Sequence, residues 1–202
     1  MEKHLYQTGL IGNCSYLAHV HKSTDISWLC WPRFDSSFVF GSMLDDKKGG
    51  EFSVKPSGDY VSRQYYLENT NILCTEITTD SGKYRVTDFA PRFRQYDRYF
   101  KPLMLVRKVE PLEGTPHIKI KCEPVYDYGK TQLKAVRGSN HVEYVGDGKK
   151  IRLTTNATIS YIFEEQYFIL KETKYLVLTY GEPLEAPVKT TVDNFLDQTG
   201  NY

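Results

Sequence analysis

From Asn69 onward the chain repeats short stretches in which apolar and polar residues alternate, separated by turn residues. A period of two marks an antiparallel sheet with one face in the core and one in water. The clearest case is Ile118-Lys119-Ile120-Lys121-Cys122-Glu123, whose apolar and charged side chains must point to opposite faces because successive Cβ atoms alternate along a strand. Asp80-Ser81-Gly82-Lys83 separates Ile72–Thr78 from Tyr84–Phe89, and Gly146-Asp147-Gly148 separates Val142–Val145 from Ile151–Thr154. Glycine reaches the positive φ that tight turns need, so each pair predicts a hairpin. Leu103–Val109, Ala157–Phe163, Tyr167–Leu170 and Tyr175–Tyr180 read as further strands, with Tyr16–Val20 and Ile26–Trp31 earlier in the chain. No repeat, low-complexity tract or internal linker interrupts the series, and an all-β sandwich or barrel follows.

Two segments depart from the alternation. Val39, Phe40, Met43 and Leu44 recur at helical spacing after Ser36 and Ser37, which predicts a short helical turn near 37–45. Near the C-terminus Val188, Val192, Phe195 and Leu196 follow Pro187 as one apolar stripe, which predicts a helix near 188–198 packed against something outside the strands.

Composition narrows the partners. At 202 residues the chain suits one large domain. Lys and Arg total 26 against 25 for Asp and Glu, so no long-range field gathers nucleic acid or acidic lipid. Aromatics make up 14% of the chain, with 16 tyrosines, a balance that favours strands. The opening Met1-Glu2-Lys3-His4-Leu5-Tyr6-Gln7 has no apolar core of a leader, and no stretch approaches the roughly 20 apolar residues of a membrane span, so a soluble, cytoplasmic protein is expected. Cys14, Cys30, Cys74 and Cys122 lie far apart without metal-ligand spacing and read as reduced, buried thiols.

Candidate chemistry is sparse. Dinucleotide, Walker, zinc-protease and serine-hydrolase motifs are absent. Gly146-Asp147-Gly148-Lys149-Lys150 has the wrong spacing for a phosphate loop. His19 and His21 would share a strand face but lack a third ligand at local spacing. Arg92, Arg94, Arg98 and Lys101 interleave with Phe93, Tyr96, Tyr99 and Phe100; Asp88 and Asp97 dilute the charge, and a loop at a domain contact is preferred to a nucleic-acid site. No metal or other cofactor is expected.

Trp28-Leu29-Cys30-Trp31-Pro32-Arg33-Phe34-Asp35-Ser36-Ser37-Phe38 carries the most information. Aromatic faces cover the apolar face of a pyranose, and Arg and Asp bind vicinal hydroxyls by charge-assisted hydrogen bonds. The same residues also fit a structural role, with Trp28 and Phe34 in the core, Arg33 paired to Asp35, and Asp35 or Ser36 capping a short helix.

At these residues the chain resembles a known family. Gly9-Leu10-Ile11-Gly12-Asn13, then Ser23-Thr24-Asp25-Ile26-Ser27 continuing through Trp28 to Ser36, then Gly49-Gly50-Glu51-Phe52, is similar to the opening of glycoside hydrolase family 15 proteins, which include bacterial and archaeal glucoamylases and trehalases. Asn69-Thr70-Asn71-Ile72-Leu73, Val86-Thr87-Asp88-Phe89-Ala90-Pro91, Val106-Arg107-Lys108-Val109-Glu110 and Glu123-Pro124-Val125-Tyr126-Asp127-Tyr128-Gly129 extend the resemblance over nearly the whole chain, least over 135–175. It implies a large antiparallel β-sandwich (supersandwich) followed by a linker and an (α/α)6 barrel whose two glutamates hydrolyse with inversion, a geometry that sets the carboxyls roughly 6.5–9.5 Å apart. Neither glutamate maps onto a residue here.

The resemblance therefore implies a non-catalytic N-terminal β-sandwich domain over 1–186, with 187–202 as the start of the linker, whose partner is its own barrel and whose enzyme cuts an α-glucoside or trehalose. It directs attention to Trp31, Arg33, Phe34, Asp35 and Ser36, with Asn13 beside them, as substrate-side or interdomain residues: Trp31 and Phe34 to wall the pocket, Arg33 and Asp35 to hold hydroxyls or fix the loop. A freestanding sugar-binding module and a purely structural domain are the alternatives.

Overall fold

The computed structural model describes residues 7–146 and 148–202. Residues 1–6 and Asp147, with the readings of the extreme N-terminus and of the centre of the 146–148 turn, lie outside the described residues.

Strands β1 (Thr8–Gly12), β2 (Leu17–His21), β3 (Ile26–Cys30) and β4 (Phe38–Phe40) pair in that order as an antiparallel meander. Next come β5 (Glu51–Pro56), then β6 (Val61–Tyr66), β7 (Leu73–Thr79) and β8 (Gly82–Phe89), which make one edge of an eight-stranded sheet. A small hairpin of β9 (Phe93–Gln95) and β10 (Arg98–Phe100) precedes the long strand β11 (Met104–Gly114), which pairs with β8. β12 (His117–Glu123) returns to pair with β5, and β13 (Val125–Tyr126) pairs with β14 (Thr131–Gln132). β15 (Lys134–Arg137), β16 (His141–Gly146) and β17 (Lys149–Thr155) form the other edge of the large sheet. After α1 (Ile159–Phe163) and β18 (Phe168–Ile169), which joins β12, strand β19 (Lys174–Tyr180) inserts between β17 and β11, and α2 (Val188–Gly200) follows.

The all-β expectation holds, because alternation is realised strand by strand. In β12, Ile118, Ile120 and Cys122 are buried while the intervening lysines face out. One core takes Val20, Leu29 and Phe40 from the meander, Phe52 and Ile120 from β5 and β12, and Tyr84, Leu105 and Leu153 from the large sheet. Two layers thus close on one another as a sandwich. Each fully buried Val, Leu or Phe contributes about 1.5–3 kcal/mol.

Three expectations are corrected. Phe38-Val39-Phe40 is strand β4, with only turns after it at 42–44 and 46–48, instead of a helical turn near 37–45. All three side chains are buried, so their helical spacing was a by-product of a strand covered on both faces. Ser36 and Ser37, expected as caps, accept N–H groups of loop residues Arg33 and Tyr128. Ala157–Phe163, expected as a strand, contains helix α1, because Ile159 and Ile162 at i, i+3 bury together where Ser160 and Tyr161 do not.

The third concerns the C-terminal stripe. Helix α2 forms where expected, but its apolar face packs on the domain's own large sheet. Val188, Val192, Phe195 and Leu196 meet a second cluster made of Ile72, Phe89, Met104, Val106, Tyr175 and Val177. Alternate residues of β11 and β19 face the two layers: Leu105 and Leu176 turn into the sandwich, Val106 and Val177 toward the helix. Lys108 on the helix side bonds Asp193 at 3.2 Å. Phe93 and Phe100 of the β9–β10 hairpin pack on Phe195, with ring centroids 5.4 and 5.2 Å away.

Candidate functional site

β3 leads into an exposed loop that runs to β4, with a cis peptide between Trp31 and Pro32. Arg33 and Asp35 pair through two hydrogen bonds, Nε to Oδ1 and Nη2 to Oδ2, each 3.0 Å, with side chains 76% and 70% exposed. The bidentate geometry fixes the guanidinium plane. Arg33 N–H donates to Ser36 Oγ at 3.2 Å and Ser36 N–H to the Arg33 carbonyl at 3.1 Å, so the loop closes on itself. Phe34, between the paired charges, is 55% exposed.

A second loop docks beside it. Tyr128 N–H donates to Ser37 Oγ at 2.8 Å, and the Phe38 and Tyr128 rings meet edge-on with centroids 6.0 Å apart. Asp127, Tyr128 and Gly129 all have positive φ, which turns the chain sharply between β13 and β14. A Cβ on Gly129 would lie 2.4 Å from the Lys48 carbonyl oxygen, so the 42–48 loop abuts this turn. Asp45 Oδ1 organises that third loop by accepting the N–H groups of Lys47 and Lys48 at 2.9 and 3.0 Å. Beneath lie Trp28, Cys30, Phe38 and Val125. One edge of the sandwich therefore carries three internally tied loops and presents Phe34, Leu44 and Tyr128 to solvent, at 55%, 68% and 57% exposure.

The structure brings Arg33, Phe34, Asp35 and Ser36 together at this edge and places the other two expected residues inside. Trp31 is 1% exposed, edge-on to Tyr16 at 5.3 Å and to Tyr180 at 6.2 Å, so in this chain its ring has no face open for stacking. Trp31 continues the burial of β3, which is buried at four of its five positions. Asn13 is fully buried; its Nδ2 donates to the Pro91 and Pro102 carbonyls at 3.2 and 2.8 Å, and its Oδ1 accepts Ser15 N–H at 3.0 Å. It fastens the β1–β2 turn to the segments flanking the β9–β10 hairpin. Tyr128 and Ser37 escaped the reading of the sequence as site residues; the Asp-Tyr-Gly triplet, able to hold left-handed backbone, is the signal that marks such a turn.

Other candidates resolve more simply. His21 Nδ1 lies 2.8 Å from Ser23 Oγ, and His19 keeps a buried Nδ1 without a partner among the described residues. Among the described residues no group of three or more His, Cys, Asp or Glu is placed to hold a metal ion, and no helix is long and apolar enough to cross a membrane. The cysteine expectation needs one correction: Cys30, Cys74 and Cys122 are buried, but Cys14 is exposed in the β1–β2 turn.

Residues 3–170 match the family model described as trehalase-like, N-terminal. The chain is 39% identical over 126 residues to a trehalase of Thermoplasma volcanium, covering 60% of this chain and 20% of that protein. It is 32% identical over 167 residues to a trehalase of Thermoplasma acidophilum, covering 77% and 28%, and 28% identical over 173 residues to a trehalase of Mycolicibacterium smegmatis, covering 75% and 26%. The chain thus spans between a fifth and somewhat over a quarter of the length of these relatives. No solved structure matches it significantly.

Proposed function

We propose, on the premise that this chain belongs to the trehalase-like N-terminal family, that it is the non-catalytic β-sandwich domain of a glycoside hydrolase that cuts terminal α-glucosidic bonds, trehalose among them. The observation that carries the reading is the match over residues 3–170 to the N-terminal family, together with relatives named trehalase that extend far beyond the matched stretch. The chemistry then belongs to an (α/α)6 barrel in the same polypeptide, reached through the segment from residue 187 onward. The edge built by Arg33, Phe34, Asp35 and Ser36 is the surface that meets this barrel near its substrate mouth. Its form supports that role: the Arg33–Asp35 fork and the Ser36 and Ser37 hydrogen bonds hold the loop in one shape, leaving Phe34 and Tyr128 as apolar contacts.

The test compares the chain alone with the complete enzyme that contains it. Trehalose and maltose are offered to both, and glucose release is measured. The complete enzyme is expected to hydrolyse at least one of them and the isolated chain neither; hydrolysis by the isolated chain overturns the reading.

A further inference from the structure

The β9–β10 hairpin has a base that the fold secures and a tip that it leaves free. At the base Phe93 and Phe100 pack on Phe195 of α2, and the Arg92 guanidinium lies over the rings of Tyr99 and Tyr202 at 5.8 and 5.2 Å. Arg92 N–H donates to Thr199 Oγ1 at 3.3 Å, so the end of α2 is fastened to the hairpin. Asn13 holds the Pro91 and Pro102 carbonyls on either side, and Ser15 Oγ–H donates to the Lys101 carbonyl at 3.3 Å.

At the tip Gln95 pairs with Arg98, leaving Tyr96 and Asp97 as a two-residue turn. Tyr96 has a φ of 54°, in the left-handed region that turns usually give to Gly, Asn or Asp, and it is 92% exposed. The position therefore costs backbone free energy, while its ring gains almost no packing within the chain. Arg94 nevertheless braces the turn: its Nε donates to the Tyr96 carbonyl at 3.2 Å, and its Nη2 lies 3.7 Å from Asp97 Oδ1. Between 92 and 101 four cations, Arg92, Arg94, Arg98 and Lys101, stand against one carboxylate, Asp97, in a chain whose net charge is +1. Arg98 and Lys101 are exposed. A held aromatic flanked by arginines has the make-up of an interface anchor, and its charge selects an acidic partner.

We propose that the hairpin tip is a docking finger: Tyr96 enters an acidic, partly apolar recess on the catalytic barrel of the same polypeptide, with Arg98 and Lys101 against its carboxylates. This rests on the reading that such a barrel follows. Two observations favour that partner. Hairpin and loop edge share a root, since the β1–β2 turn that holds Pro91, Lys101 and Pro102 also sets Tyr16 edge-on to Trp31, the residue that leads into the exposed loop. One partner at this end of the sandwich therefore reaches both. The Tyr202 and Tyr99 rings also meet with centroids 5.8 Å apart, so on that reading the connection to the barrel sets out beside the hairpin.

The experiment is hydroxyl-radical footprinting of Tyr96 in this chain alone and in the complete enzyme. Tyr96 is expected to be oxidised at least about fivefold more slowly in the complete enzyme, because an anchor ring is sealed from water. Arg98→Glu, which leaves Tyr96 in place, is expected to return its oxidation toward the rate of the chain alone. Tyr96→Gly is expected not to lower the urea midpoint of the chain alone, since glycine adopts this backbone without strain. Equal oxidation in the two proteins, no response to Arg98→Glu, or a lower midpoint for Tyr96→Gly overturns the proposal. Protection of Tyr96 in the chain alone overturns it too, whether it appears with rising chain concentration, with single-stranded DNA or with phosphatidylglycerol vesicles, because the finger then serves a second copy, nucleic acid or a membrane. Glucose release separates the two failures. Hydrolysis of trehalose or maltose by a complete enzyme whose Tyr96 is freely oxidised removes the finger alone, whereas a complete enzyme that hydrolyses neither removes the parent reading and the finger with it.

Discussion

Arg107 and Asp88 stand directly opposite one another on β11 and β8, both side chains fully buried, with Nε donating to Oδ1 at 2.8 Å and Nη2 to Oδ2 at 3.3 Å. The same guanidinium donates through Nη1 to the Phe52 carbonyl at 2.7 Å and through Nη2 to the Thr24 carbonyl, and it lies over the Phe52 ring at 4.7 Å. Arg107 and Asp88 belong to the large sheet, Phe52 to β5 and Thr24 to the turn between β2 and β3. One buried cation therefore ties all three main sheets together. Burial pushes the Asp88 carboxyl upward, and the guanidinium beside it pulls the other way.

Removing one partner of such a pair leaves an uncompensated buried charge, at a cost of about 3–5 kcal/mol. Arg107→Met is expected to destabilise the chain by that amount, since it also strands two carbonyls. The double variant Arg107→Met/Asp88→Leu is expected to recover part of the loss, because no charge then remains unpaired. Urea unfolding of the two variants and the parent checks this; a loss under about 1 kcal/mol for Arg107→Met contradicts it.

Trp31 and Phe34 are three residues apart and are expected to respond oppositely to truncation. Trp31→Ala empties a site packed against Tyr16 and Tyr180 and is expected to cost about 3–5 kcal/mol. Phe34→Ala is expected to change stability by no more than about 0.5 kcal/mol, because more than half of the side chain is already in water. In the complete enzyme Phe34→Ala is expected to raise KM. A stable Trp31→Ala chain, or Phe34→Ala with parental kinetics, contradicts the corresponding half.

Arg33→Ala removes an exposed ion pair, and such pairs are worth about 0–1 kcal/mol. Folding should barely change. If the loop meets the catalytic barrel, turnover by folded complete enzyme is expected to fall, since Asp35 and the loop lose the fork that sets their position. Lower stability with unchanged turnover per folded molecule would instead favour a purely structural domain.

The sequence disclosed the sandwich wherever alternation was clean, as in Ile118 to Glu123, and it failed where both faces of a strand are covered. Phe38-Val39-Phe40 and Tyr175-Leu176-Val177-Leu178 contain no polar position to set a period. The first was therefore read as helical. The second was rightly read as a strand, yet the helix that covers its outer face could not be assigned to it. At the site, the Arg33–Asp35 spacing was legible because both partners are local. Tyr128 was not, since its link to Ser37 spans 91 residues of chain.

The thiols give a simple check on burial. Cys30, Cys74 and Cys122 are all buried, and burial pushes Cys122 up to about 12 and raises the other two, so the reactive thiolate is scarce at each. Cys14 alone among the four is exposed. One equivalent of a disulfide reagent is expected to react with the native chain, at Cys14, and four after unfolding in urea; mass spectrometry of the labelled peptides identifies the site. Rapid native labelling of Cys74 or Cys122 contradicts the packing.

The histidines set the response to acid. Burial lowers His19 from its ordinary 6.5, and among the described residues its Nδ1 has no acceptor to receive a proton's hydrogen bond. Burial also lowers His21, against an upward pull from Asp25, and lowers His141, with Arg152 adding to the effect. Between the lowered folded values and 6.5 the unfolded chain binds more protons than the folded one, so stability rises with pH through that window and is lost as pH falls below 6.5. A second loss begins below 4.5, where Glu76, held low chiefly by the Lys83 hydrogen bond, takes up its proton sooner in the unfolded chain. Asp25 runs the other way, since its raised pKa favours the folded chain as pH drops toward its ordinary 3.8. The net expectation is a urea midpoint lower at about pH 5.5 than at about pH 7.5, with His19→Gln narrowing the gap because glutamine does not titrate. Equal midpoints in the parent chain, or an undiminished gap in His19→Gln, would show that His19 is not held neutral by the fold.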